Sequence, residues 1–318
     1  MAPLASVLLR TESASSSQIE HVTAGAKALA LAAIDERSGP NARMVAANVA
    51  AVQRAIDLSD DLGIASLLDA HEALMDGHQY AEPGRFRSAE AWIGSAAATP
   101  HTATFVPPRA ERVPDAVRDL IEFCERTDIG ILVQVAVAHA QFETIHPFAD
   151  GNGRTGRALV HALLRRAGTT RRMTVPVSSG LLADTRRYFD ALGSYREGDP
   201  TAIVQCFIDA SFGAIRNGRR LIDDLGSIRA RWDESLTSRR GAAARTILPV
   251  LIGQPAVTVR FVQDHAHVSQ PAAQRAVDQL TTAGILTPAT SNRRNRVWIA
   301  TEVTDALDAF AARIGRRS

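Results

Sequence analysis

The chain has 318 residues, of which 46% are hydrophobic and 5% aromatic, and a formal net charge of +2. That length supports a sizeable core and two domains, and the balance excludes both a disordered chain and a global field that draws nucleic acid. The apolar patch in the first residues is too short for a signal peptide or a spanning helix, and nothing later reaches membrane length. A cytoplasmic protein with no membrane partner is expected.

Residues 21–35 and 42–59 carry apolar side chains at helical spacing, with a turn at 38–41 between them. A third helix fits 64–76, ending near Gly77. The segment 87–108 changes character. Trp92-Ile93 and Thr104-Phe105-Val106 read as two short strands around a small-residue turn, which predicts a β-hairpin. A helix at about 114–126 follows. The run 131–145 is apolar on most faces, so it belongs in the centre of a domain, capped by Thr127 or Asp128. A loop over 146–153 leads into a helix from about Arg154 to Gly168. Further helices fit about 180–193 and 200–237, the second broken in places. Cys124 and Cys206 lie in apolar helical runs without metal-ligand spacing and read as buried free thiols. From about 242 the pattern resets. Helices fit 242–252, 259–268 and 269–286, the last with Ser269 as N-cap and Pro271 in its first turn, and 288–300 reads as a turn between two strands. Helix, helix-turn-helix, then hairpin is the winged-helix order.

The chemistry concentrates in HPFADGNGRTGR, residues 146–157. Gly151 and Gly153 allow torsions that turn consecutive N–H groups toward one point, beside a helix N-terminus that favours an anion. Arg154 and Arg157 are three apart and share a helical face, so both reach phosphate oxygens. Asp150 offers the hard oxygen that Mg²⁺ takes, with phosphates completing its shell. His146 is the side chain suited to general base work near neutral pH. Phe148 reads as an apolar pin for the loop. The combination points to a nucleoside triphosphate and attack on it by a hydroxyl.

The twelve residues resemble the signature of the Fic family, H-x-F-x-[D/E]-G-N-G-R-x-x-R, at every fixed position. The lead-in AHAQFETI and the WIG…FVPP hairpin are also similar, and the resemblance covers about residues 10–210. It implies an all-α core with a small β-hairpin flap that holds the target segment, to which the element order from 242 adds the C-terminal winged helix. The corresponding division is 1–110 for the N-terminal helical region with an inhibitory helix and the flap, 111–238 for the catalytic core, and 242–318 for the winged helix. It implies AMP transfer from ATP to a Ser, Thr or Tyr hydroxyl of a target protein, with His146 as base and Asp150 on Mg²⁺. Gly151, Asn152 and Gly153 would form the anion hole, with Arg154 on the phosphates and Arg157 on the γ-phosphate. Tyr188 would lie against the nucleoside base. Relatives often pair, so a homodimer is among the expectations.

Near the N-terminus, Ser17 and Glu20 read from the residues alone as a capping box before an apolar helix. The resemblance implies something else. Ser16 and Glu20 match the inhibitory pattern [S/T]-x-x-x-E-[G/N], with His21 where Gly or Asn is usual, and Glu20 would then take Arg157 from the γ-phosphate. In the winged helix, Gln270, Gln274, Arg275 and Gln279 lie on or near the exposed recognition face, and Arg293, Arg294 and Arg296 in the wing. The competing function is a DNA-binding regulator that uses the core as a nucleotide sensor. The intact His146 and Asp150 favour the enzyme.

Overall fold

Helix α6 (Ile131–Ile145) has no broad polar face and runs through the middle of the molecule. The computed structural model describes residues 2–34, 39–76, 82–94, 99, 101–236, 241–289 and 296–315. Beside α6 lies α7 (Asn152–Arg166), twelve of whose residues are buried. Around this pair pack α3 (Pro40–Asp57), α4 (Ile64–Leu74), α5 (Val113–Cys124), α9 (Thr185–Arg196) and α10 (Thr201–Ser235). Phe142, Phe148, Leu163 and Phe207 are among the side chains that fill the core between them. Both cysteines are buried free thiols, and burial pushes Cys124 up to about 12 and Cys206 to about 11. Among the described residues no helix is long and apolar enough to cross a membrane.

The N-terminus departs from the reading of the residues alone. A continuous helix α1 (Ala2–Ile19) stands where an apolar patch and a cap were read and where the resemblance implied an inhibitory helix, and the next helix, α2 (Ala26–Ala32), is short. The capping box is therefore absent: Ser17 lies inside α1 and Glu20 follows its end. Serine has no strong helical preference, and here packing decides. Ser13, Ser16 and Ser17 are fully buried where α1 crosses α3, α7 and α8 (Val177–Leu182), and their small side chains permit that approach. A buried polar cluster fixes the crossing. Glu12 lies 2.8 Å from His161 Nε2 on α7 and accepts hydrogen bonds from the Ser178 N–H and hydroxyl on α8.

Other boundaries moved as well. The helix expected at 180–193 is two, α8 and α9, because Asp184 caps α9 by accepting from the Arg187 N–H. The helix at 200–237 is not broken; α10 runs unbroken through its three glycines. Neither Thr127 nor Asp128 caps α6: its N-cap is Gly130, and Asp128 pairs with Arg126. The predicted hairpin appears as one antiparallel bridge, Ile93 to Phe105. Gly77 and the residues 95–98 of the hairpin turn lie outside the described residues.

The C-terminal region contains α11 (Ala243–Gly253), β1 (Ala256–Val257), α12 (Val259–Ala266), α13 (Gln270–Thr282), β2 (Thr287–Pro288), β3 (Trp298–Ile299) and α14 (Thr301–Gly315). The strands form an antiparallel sheet in the order β1-β3-β2, with Val257 and Pro288 both facing Trp298 in register. Neither β1 nor α14 was foreseen. This core is shared with the rest of the chain, since Val7 of α1 and Leu221, Leu225 and Trp232 of α10 belong to it. Arg293 and Arg294 lie outside the described residues, while Arg296 is exposed.

Candidate active site

Helix α6 ends because His146 takes a left-handed conformation, φ 50°, ψ 62°. Few residues other than glycine accept that, although His does so more readily than most. The chain then crosses to α7, whose N-cap Gly151 has φ 78°. A Cβ there would also lie 2.9 Å from Met75 Sδ, so glycine is required twice over. The loop between is held from both sides. Phe148 is fully buried and stacks on His71 at 3.7 Å between ring centroids. Asn152 turns its side chain inward, accepting from the Phe148 N–H and donating to the Phe148 carbonyl, each at 2.8 Å. Only its backbone is left for the anion hole that the resemblance implies.

The two arginines of α7 differ sharply in surroundings. Arg154 is buried, and its Nε and Nη1 have no hydrogen-bond partner; its Nη2 lies 3.9 Å from Asp150 Oδ1. Burial lowers its pKa. Arg157 is fully engaged on one edge. Its Nε donates to Ser16 Oγ at 2.9 Å, and its Nη2 donates to the Ser16 carbonyl and to Glu20 Oε1, each at 2.8 Å. Burial works against its charge, but Glu20, Tyr188 and Glu143 outweigh that and raise its pKa. Directly after Glu20, His21 takes a left-handed φ of 61°, a torsion that glycine adopts with less strain than histidine. The carboxylate lies directly over Gly153, where a Cβ would collide with it. Glu20 thus stands over the first turn of α7.

His146 is largely buried. Burial pulls it down to about 4, with Arg87 adding to the effect and the nearby Glu143 carbonyl opposing it. Its Nδ1 is 3.9 Å from Glu143 Oε2. Asp150 is well exposed, with one oxygen accepting from the Gly151 N–H at 2.6 Å. Among the described residues no three His, Cys, Asp or Glu gather as a metal cage. One open carboxylate beside an anion cradle still fits Mg²⁺, which keeps waters and takes phosphate oxygens as ligands.

The structure corrects one assignment. Tyr188 is buried and its hydroxyl hydrogen-bonds His139 at 2.7 Å, behind Arg157. Burial raises its pKa, and it has no open face for a nucleobase. Three residues were not anticipated. Arg87 binds the flap to the loop, donating to the carbonyls of His146, Ala89 and Pro108. His71 accepts from the Gly84 N–H on Nδ1, which leaves Nε2–H to donate to the Asp150 carbonyl; burial holds it near 4 and thus neutral. No local pattern marks either residue. Glu143 was legible, since its spacing of three from His146 puts both on one helix face.

Residues 61–164 match the family model described as the Fic/DOC family. The chain is 36% identical over 108 residues to a probable protein adenylyltransferase of Aquifex aeolicus (strain VF5), covering 32% of this chain and 29% of that protein. It is 28% identical over 147 residues to the protein adenylyltransferase Fic of Nematostella vectensis, 45% of this chain and 31% of that one. The chain therefore spans less than a third of the length of these curated relatives. A crystal structure of a Fic family protein from Desulfovibrio desulfuricans G20 has a TM-score of 0.57 at 23% identity, over 92% of this chain and 86% of that one. At that identity the likeness is one of fold, and it takes in the helical core. The likeness to the Fic/DOC family is thus carried by residues 61–164.

Proposed function

We propose that this chain is a protein adenylyltransferase, restrained by its own Glu20. The observation that carries the reading is Arg154, a buried guanidinium with orphaned donors beside a glycine-rich helix N-terminus. Such a group is costly until an anion meets it. The printed names of the relatives supply the class of reaction. A hydroxyl oxygen of the target forms a bond to the α-phosphorus of ATP as the bond to the bridging oxygen of pyrophosphate breaks. His146 takes the hydroxyl proton on Nε2, since Nδ1 faces Glu143. The amides of Gly151, Asn152 and Gly153, with Arg154 and Arg157, stabilise the phosphate charge. Mg²⁺, for which Asp150 is the ligand present, would neutralise charge on the departing pyrophosphate. The exposed Trp92 and Val106 flank the Ile93–Phe105 bridge and support a target segment docking along the flap. Glu20 opposes all of this by occupying Arg157 and repelling the terminal phosphate.

The test uses α-labelled and γ-labelled ATP separately with the parent chain, Glu20→Gly and Glu20→Gly/His146→Ala. Protein-bound label from the α-form alone, rising in Glu20→Gly and lost in the double variant, is expected. Label from the γ-form alone, or none in any variant, would overturn the reading.

The helix and strand order of 243–299 supports a winged helix at the C-terminus. The exposed positions of α13 include Gln270, Arg275 and Gln279, with Gln274 half-buried. Arg275 is the one cation on that helix and Asp278 offsets it, so protein docking is better supported than duplex binding. Retention on random-sequence duplex at 50 mM salt, falling steeply by about 200 mM, would reverse that preference.

A further inference from the structure

Glu143 is a buried carboxyl that the transfer scheme does not use. It stands one turn before His146 on α6, with Oε2 3.9 Å from His146 Nδ1. Its Oε1 is buried without a hydrogen-bond partner and points toward α7, where a Cβ on Gly156 would lie 3.2 Å away. His146 Nδ1 likewise has no hydrogen-bond partner. A fold seldom retains such a carboxyl for stability alone, because its burial is costly without a partner. The charged and titratable groups around it are Glu20 after α1, Arg157 on α7, Tyr188 and Arg196 on α9, and His139 and His146 on its own helix.

We propose that Glu143 is a positioning residue for His146. Its carboxylate holds the Nδ1–H edge of the ring, leaving Nε2 toward the incoming hydroxyl, and balances the charge the ring gains on taking the proton. The proposal rests on the reading of His146 as the base. The present separation suits a charge pair, and a small rotation of either side chain brings it to hydrogen-bond length.

The electrostatics favour this role. An imidazole held near 4 by burial is a weak base at neutral pH. A carboxylate beside Nδ1 stabilises the imidazolium and moves the ring's pKa toward the working range. Glu143 itself is raised to about 7, by burial first and then by Glu20, while Arg157 and Arg196 pull it down. Its help is present above its own pKa and lost below it. Removing Glu20 removes a raising charge, so the acid limb of the rate profile shifts to lower pH in Glu20→Gly.

The experiment compares Glu143, Glu143→Gln and Glu143→Asp in the full-length Glu20→Gly chain, with circular dichroism to check folding. The readouts are kcat, KM for ATP, the pH profile, and ¹⁵N resonances of His146. Glu143→Gln is expected to lower kcat about tenfold to a hundredfold, leave KM within about twofold, and remove the acid limb. It should also lower the His146 pKa, and Glu143→Asp should restore part of each effect. An unchanged kcat and His146 titration would overturn the proposal. So would a lost rate with the pH profile and His146 titration intact, since that marks a purely structural role. Labelling that survives His146→Ala, a variant that leaves Glu143 in place, would instead break the reading beneath it.

Discussion

The floor of the cleft and the helix that covers it are made in opposite ways. The floor, residues 146–157, is local: two left-handed residues, an inward-turned Asn152 and the buried Phe148 set its shape. The cover, α1, has little local reason to be where it is. It is fixed by contacts far away in sequence, Glu12 to His161 and Ser16 and Glu20 to Arg157. The two arginines record the difference. Arg154 has orphaned donors on Nε and Nη1; Arg157, one turn on, has its Nε and Nη2 taken by the cover and only Nη1 without a partner. A helix that supplies an anion's partners to one arginine and not the other can restrain a site without dismantling it.

The largest effect that tests this contrast is at the floor. His146→Ala in the Glu20→Gly chain should lower α-label transfer at least about a hundredfold, the share of a general base; a smaller loss would mean that the floor does not carry the chemistry. Next is the anchor of the cover. Glu12→Ala leaves His161 buried without its partner and should cost about 3–5 kcal/mol, read as a lower Tm. Burial pushes Glu12 up, but His161 and Ser178 outweigh it and hold its pKa below the usual value. Its stabilisation is thus present above the unfolded carboxylate range and lost as pH falls through the folded pKa. The Tm gap between parent and Glu12→Ala should close at acid pH; a constant gap would locate the effect elsewhere.

Releasing the cover alone is a smaller change. Glu20→Gly should raise labelling about tenfold, equal to roughly 1.4 kcal/mol of lost competition at Arg157, with Tm nearly unchanged because the carboxylate is partly exposed. The smallest effect is at Ser16→Ala, which removes one acceptor from Arg157 Nε while its carbonyl and Glu20 remain. A rise in labelling of about twofold to threefold is expected, near the lower end of what one hydrogen bond contributes. A rise matching Glu20→Gly would show that Ser16, not the carboxylate, sets the restraint.

Much of the floor was legible because its signals are short-range. Gly151 and Gly153 announce a turn, the apolar run 131–145 a buried helix, and the spacing of Arg154 and Arg157 a shared face. The same local logic failed at 15–21. A serine followed by glutamate before alanines reads as a helix start, yet it is a helix end, because burial against α3 and α7 overrode serine's weak preference. Helix α14 was missed although Val303, Phe310 and Ile314 line its buried side, a period the sequence does display.

The sequence by itself determined the turn at 146–153 and the shared face of Arg154 and Arg157, because backbone torsion and helix periodicity act over a few positions. Only the tertiary structure decided that Tyr188 is buried against His139, that Arg87 and His71 hold the loop, and that Glu20 lies over Gly153. Those outcomes depend on burial and charge contacts between segments tens to more than a hundred residues apart, and no local pattern encodes such distances.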